Sequence, residues 1–328
     1  MQTYSRPLRW GIIGCGDVTE VKSGPPYQLT DGFELAAVMR RDKAKLADYA
    51  ARHGVDKTYT DAQALIDDPE IDAVYIATPP DSHHDYALRV AAAGKPCCIE
   101  KPLAPSYAES QAIEAAFAAK DLPLFVAYYR RTLPRFEQVH DWLREGAIGT
   151  VRHISWQLCK PPSKTDLAET ENWRTEAEVA PGGYFDDLAS HGLDLFTYHL
   201  GKIKDVYGVS LNQQGLYTAK DAVSACWLHE SGVTGMGCWN FGSHAAIDRV
   251  EIIGSAGTIR YALFEENPVE LQTADRQESH RIDHPRHVHQ QHVEAMAGQL
   301  LGGGQAHPST GATAAHTSWL MDRILGKI

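Results

Sequence analysis

Asp187 and His191 stand four residues apart in the run Gly182-Gly183-Tyr184-Phe185-Asp186-Asp187-Leu188-Ala189-Ser190-His191-Gly192-Leu193-Asp194. On a helix that spacing puts both on one face. A carboxylate there can orient an imidazole and fix its tautomer for proton transfer. Asp186 is one residue off that face, and Asp194, three beyond His191, is also within reach of it. A second candidate for proton work is Lys101 in Glu100-Lys101-Pro102. A lysine there either loses its proton on burial or stays charged and polarises an oxygen. Taken singly, His191 is equally a satisfied core histidine and Lys101 a solvated charge at a strand end. His284, His287, His289 and His292 lack regular ligand spacing, so no metal is expected.

The opening segment supplies a redox partner for such groups. The apolar run Leu8 to Ile13 ends in Gly14-Cys15-Gly16. A dinucleotide-binding loop needs one glycine for the tight turn and a second to let backbone approach the pyrophosphate. Gly14 and Gly16 fill those roles, Asp17 and Val18 open the helix that follows, and Thr19 stands where a third glycine is usual. Gly24-Pro25-Pro26 must break or kink that helix early. An NAD site wants an acid about 20 residues further on, at the end of the second strand. Here that strand ends Val38-Met39-Arg40-Arg41, with no carboxylate before Asp42. Two guanidiniums suit a 2′-phosphate, so NADP is favoured over NAD.

These residues need a frame. Up to about residue 125, apolar strand patterns alternate with helical ones, the sign of βαβ units around a parallel sheet. Strands are expected at Leu8–Ile13, Phe33–Met39, Ile71–Ala77, Cys97–Glu100 and Leu124–Tyr128. Asp61, Asp81 or Ser82, and Ser106 with Glu109 read as helix starts, and Gly94 as a helix stop. After a helix near Phe136–Arg144, strands dominate: Val151–Leu158, Ala222–His229, Gly235–Phe241, Val250–Ile253, Thr258–Tyr261 and Val269–Gln272. Their alternation predicts a mostly antiparallel sheet. Helices are expected at Asp187–Leu200, His292–Leu301 and Thr313–Leu325.

The chain has 328 residues, about two domains' worth, with 31 basic and 42 acidic side chains and a formal net charge of −11. That balance argues against nucleic acid or an anionic membrane as partner. No apolar run approaches the ~18 residues a membrane span needs, and the first residues run into a fold motif with no signal-peptide pattern. The six cysteines (Cys15, Cys97, Cys98, Cys159, Cys226 and Cys238) form no CxxC pair. They read as reduced thiols of a cytoplasmic protein.

Glu100-Lys101-Pro102, the Gly182–Asp194 run, and Ile76-Ala77-Thr78-Pro79-Pro80 with His83 together resemble the glucose–fructose oxidoreductase/inositol dehydrogenase/rhizopine catabolism family of NAD(P)-dependent oxidoreductases. The resemblance covers essentially the whole chain. It implies an α/β Rossmann domain with a parallel sheet at 1–125, then at 126–328 an α+β substrate-binding and oligomerisation domain with a large, mostly antiparallel, open-faced sheet. It implies catalytic roles for Lys101, Asp187 and His191, and cofactor contacts from Thr78, Pro79, His83 and Glu100 besides the glycine loop, Arg40 and Arg41. Tyr129, Arg130, Trp173 and Arg174 fall where family members meet substrate. The implied activity is hydride transfer between a nicotinamide and a carbinol or carbonyl carbon of a sugar, polyol or related cyclic alcohol, in a homodimer or homotetramer. A non-catalytic NAD(P)-binding regulator and a redox-elimination glycoside hydrolase of the same family are the alternatives.

Overall fold

The run Leu8–Ile13 forms β1, buried along nearly its whole length, as a parallel strand covered on both faces must be. The computed structural model describes residues 6–168 and 172–328. The chain divides into two compact units, one of residues up to Leu133 with Pro285–His316, the other of Pro134–His284 with Thr317–Ile328. A linear cut after residue 125 therefore misses the return of 285–316 to the first unit.

In the first unit β1 is followed by α1 (Asp17–Val21), α2 (Pro26–Leu29), β2 (Phe33–Met39), α3 (Lys43–His53), β3 (Lys57–Tyr59), α4 (Ala62–Ile66), β4 (Ala73–Ile76), α5 (His83–Ala92), β5 (Cys97–Ile99), α6 (Tyr107–Ala118) and β6 (Leu124–Val126). All six strands pair in parallel in the order β3-β2-β1-β4-β5-β6, a Rossmann arrangement. Asp42, Asp61 and Ser106 cap α3, α4 and α6 by accepting backbone N–H groups. Ser82 precedes α5 without a capping bond, because its hydroxyl turns to Thr78 Oγ1 at 2.7 Å. The Gly24-Pro25-Pro26 break is real: α1 stops at Val21 and the chain restarts at Pro26.

The second unit contains α7 (Pro134–Arg144), β7 (Val151–Cys159), α8 (Lys164–Leu167), α9 (Tyr184–Leu200), β8 (Ile203–Leu211), β9 (Ala222–His229), β10 (Thr234–Asn240), β11 (Ile247–Gly254), β12 (Gly257–Tyr261), β13 (Val269–Thr273) and β14 (Gln277–His280). The eight strands lie in the order β14-β13-β12-β11-β7-β10-β9-β8, antiparallel except for β7 beside β10. Two helices close the chain, α10 (Gln290–Leu301) in the first unit and α11 (Gly311–Ile324). Among the described residues no helix is long and apolar enough to cross a membrane.

Three strands were not expected. β3 is three residues long, β14 is entirely polar, and β8 carries apolar groups on both faces, so none shows a clean period of two. In the first unit α10 lays Val293, Met296 and Ala297 against Trp10, Tyr27, Tyr75, Cys98 and Phe125 on one side of the sheet. In the second, Trp156 meets Phe196 and Trp239 edge to face at 5.7 and 5.4 Å. Gly192 of α9 rests on that indole, and a Cβ there would sit 2.3 Å from the Trp156 ring. The other side of β8, β9 and β10 exposes Tyr207, Val209, Leu211 and Met236.

Because Gly192 sets how closely α9 lies on its sheet, Gly192→Ala should lower the urea midpoint of unfolding. The expected overpacking cost of about 1–3 kcal/mol exceeds or matches the roughly 1 kcal/mol that alanine gains over glycine in a helix. A raised midpoint would mean that α9 moves away from Trp156 freely.

Candidate active site

The glycine loop is built for close approach. Gly14 has φ +92°, and a Cβ there would lie 2.5 Å from Thr78 Cγ2 and 2.9 Å from the Thr78 nitrogen. Gly14 and Cys15 donate their N–H groups to the Met39 carbonyl at 2.9 and 3.2 Å, tying the turn to the end of β2. A Cβ at Gly16 would meet only the Gly14 carbonyl, at an ordinary 3.8 Å. Thr19 is fully buried, and its hydroxyl closes the first turn of α1 by accepting the Gly16 N–H at 3.0 Å. Asp17 and Val18 follow as the first residues of α1. This cradle fits the backbone requirements of a dinucleotide pyrophosphate.

At the tip of β2, Arg40 bends back over the loop and donates Nη1 to the Cys15 carbonyl at 2.9 Å. Arg41 is exposed. Asp42, the first acid available, is committed to α3, accepting from the Ala44 and Lys45 nitrogens. Those N–H groups hold its carboxyl below the usual range.

At the ends of β4 and β5 the side chains brace one another. Pro79 and Thr78 lie beside the loop at the exit of β4, with the Ser82 hydroxyl donating to the Pro79 carbonyl at 2.9 Å. His83, expected along the cofactor, is fully buried, with Nε2 2.8 Å from the Thr78 carbonyl and Nδ1 3.0 Å from the Pro102 carbonyl. Both of its ring nitrogens are thus spent on the two strand exits. Burial pushes its pKa down despite both carbonyls. Lys101 follows β5 through a cis Lys101–Pro102 peptide. Glu100 beside it is buried, accepting from the Tyr75 hydroxyl at 2.6 Å and the Lys101 N–H at 3.1 Å. Burial and that carboxylate raise the Tyr75 pKa well above normal, so the phenol stays a donor.

His289, at the start of α10, places Nε2 3.8 Å from Glu100 Oε1 and packs its ring against Tyr129 at 4.4 Å, tilted by 30°. Arg130 is buried and donates to the Tyr129 hydroxyl at 2.8 Å. Tyr129 is thus the more open member of the Tyr129-Arg130 pair. His292 and His307 continue inward from His289: His307 Nδ1 accepts the Ser309 N–H at 3.0 Å while Nε2 faces the His292 carbonyl at 3.1 Å. His292 Nε2 lies 3.8 Å from Cys98 Sγ, and its Nδ1 has no partner among the described residues. Among those residues no group of three His, Cys, Asp or Glu converges as a metal site.

In the second unit, the turn Trp173–Thr175 brings Arg174 to α9, where its Nε donates to Asp187 Oδ2 at 2.8 Å. Arg174, expected to meet substrate, therefore spends one donor on Asp187. The Trp173 side chain lies outside the described residues. Asp186 points the other way, accepting the Gly182 N–H at 2.8 Å, and burial pushes its pKa up. Asp194 accepts from the Thr317 hydroxyl at 3.3 Å. His191 is buried, edge-on to Phe264 at 5.9 Å. Tyr184 donates to Asp166 at 2.7 Å and accepts from Asn172 at 3.1 Å. Asp166 and Phe264 were not anticipated, since no local motif marks them, and His289 stood out only in a histidine run without ligand spacing.

Comparison with known proteins gives the chain its family. The family described as "Oxidoreductase family, NAD-binding Rossmann fold" matches residues 8–128, and the "GFO/IDH/MocA C-terminal domain" matches 136–260. An oxidoreductase of Formosa agariphila is 36% identical over 97% of this chain and 98% of its own. The D-apiose dehydrogenase of Paraburkholderia graminis is 27% identical over 79% of this chain and 68% of its own. A structure of levoglucosan dehydrogenase with NADH and levoglucosan shares the fold, with TM-score 0.84 at 23% identity over 97% of this chain and 96% of that one. The chain belongs to the Gfo/Idh/MocA family of oxidoreductases.

The buried histidines predict a pH response. Burial, with nearby Lys101, Lys22 and Arg130, lowers the His289 pKa to about 3; burial lowers His307 to about 4 and His292 well below normal. Each binds a proton more readily unfolded, so stability should be complete above about pH 6.5 and fall on acidification toward the folded values. His292→Leu should flatten this slope by up to about 1.4 kcal/mol per pH unit. Urea unfolding at pH 7, 6 and 5 checks this, and an unchanged slope would mean that His292 is already protonated when folded.

Proposed function

We propose that the protein is an NADP-preferring dehydrogenase or reductase acting on a CH–OH group of a sugar, polyol or related cyclic alcohol. The observation that carries this reading is Lys101 leaving the carboxyl end of β5 beside a braced, buried Glu100, the edge at which parallel α/β sheets bind ligands. A bound nicotinamide dinucleotide supplies the hydride acceptor for oxidation and the donor for reduction. In oxidation, His191 takes the hydroxyl proton as the C=O bond forms, and the Lys101 ammonium stabilises negative charge developing on that oxygen. Asp187 favours the resulting imidazolium, with Arg174 fixing the carboxylate. In reduction His191 returns the proton. Gly14, Gly16, Asp17 and Val18 line the pyrophosphate, with Thr78 and Pro79 along the nicotinamide ribose. Tyr129 contributes to substrate binding. The exposed apolar side chains of β8 and β10 support self-association through that face, as a homodimer or homotetramer.

Lys101→Ala and His191→Ala should each lower kcat by about 10²–10⁴-fold while cofactor dissociation constants stay within a few fold. Turnover with NADP and NAD across a sugar and polyol panel, read at the nicotinamide absorbance, tests this, and near-wild-type turnover in both variants removes them from the chemistry. Arg40 and Arg41, facing no ribose-binding acid, should make NADP bind more tightly than NAD. Arg40→Asp should cost NADP about 1.5–3 kcal/mol; tighter NAD binding by the wild type would refute the preference.

A further inference from the structure

Lys160 follows the last residue of β7, and its backbone is held on both sides. Its N–H donates to the Asn240 carbonyl at 2.8 Å, and its carbonyl accepts the Ser243 N–H at 3.3 Å. From this fixed base the ammonium reaches over the ring of Phe264, 5.7 Å from the centroid. The ring that receives it is the one His191 meets edge-on at 5.9 Å. One aromatic side chain therefore touches both the candidate proton-transfer group and a half-buried cation.

Three acids of this region are engaged elsewhere. Asp187 holds Arg174, Asp166 accepts from the Ser163 N–H and the Tyr184 hydroxyl, and Asp248 accepts from Trp156 Nε1 and the Phe264 N–H. Among the described residues no carboxylate pairs with the Lys160 ammonium. A ring face replaces only part of the hydration that an ammonium loses on burial, so an unpaired lysine here is a cost to the free protein. The chain as a whole carries a net charge of −11, so a cation on the ring that His191 also meets is no by-product of a basic surface. A charge-assisted bond from an anionic ligand would recover that cost.

We propose that Lys160 is a specificity-determining residue, binding an anionic oxygen group of the substrate, a carboxylate or a phosphate, while His191 serves the reacting hydroxyl. This rests on the dehydrogenase reading above and narrows its substrate to a charged sugar derivative.

The experiment compares D-gluconate, D-glucuronate and D-glucose 6-phosphate with D-glucose and myo-inositol, using NADP in wild type, Lys160→Met and Lys160→Arg. At least one anionic probe should be turned over about tenfold or more better than both neutral ones. Lys160→Met should lower kcat/KM for that probe about 10- to 100-fold, mostly through KM, with Lys160→Arg recovering part of it. Its effect on a neutral probe should stay within about threefold. Preference for a gluconate or glucuronate assigns a carboxylate, and preference for the sugar phosphate assigns a phosphate. Efficient turnover of neutral probes alone overturns the proposal while leaving the dehydrogenase reading intact, and so does an equal loss on both classes in Lys160→Met. If no probe changes the nicotinamide absorbance, calorimetric titration of the same probes into the NADP complex decides: equal binding by wild type and Lys160→Met overturns the role of Lys160, while the absent turnover counts separately against the dehydrogenase reading.

Discussion

A carboxylate out of water must be met by donors, and Glu100 is the place where this constraint governs the first unit. It sits beside Lys101 at the end of β5, inside the sheet edge, and takes the Tyr75 hydroxyl and the Lys101 N–H. Burying an acid without such partners costs several kcal/mol. The arrangement follows from that cost. Tyr75 must stay protonated, which its own burial ensures. His289 must reach the same carboxylate from residues that follow the second unit in sequence, which requires the chain to return and lay α10 on the sheet. The early end of α1 belongs with this return, because Lys22 and Thr30 at the break meet His289 and Gln290.

His83 applies the same logic to the backbone. Its two nitrogens face carbonyls at the exits of β4 and β5, so the segment carrying Thr78 and the segment carrying Lys101 are held together from beneath. The histidine thus spaces the two strand exits from which Thr78 and Lys101 follow.

In the second unit the division of labour between adjacent acids is set by one helix start. α9 begins at Tyr184, so Asp186 falls where it caps the Gly182 N–H while Asp187 turns toward Arg174. Burial raises the pKa of Asp186, whereas Asp187 pairs with the Arg174 guanidinium. Gly192 allows the helix to press on Trp156, and this brings His191 next to Phe264.

Much of this was legible in the order of residues. The apolar runs of β1 and β2, the alternation of β9, the caps at Asp61 and Ser106, the glycine turn and the Asp187–His191 spacing depend on neighbours within a few positions, and local stereochemistry decides them. The strands β3, β8 and β14 were not legible, because a short or edge strand buries too few positions to impose a period. Nor were the partners of Glu100, Asp187 and Lys160. Tyr75, His289, Arg174 and Phe264 come from 13 to 189 positions away, and no local pattern records which distant side chain will bury a charge. The sequence by itself determined the Rossmann element order, the family and the residue types able to move a proton and hold a dinucleotide. Only the tertiary structure decided that His83 clamps, that Asp187 is paired and Asp186 is not, and that 285–316 completes the first unit, because burial and pairing of polar groups depend on what long-range packing brings against them.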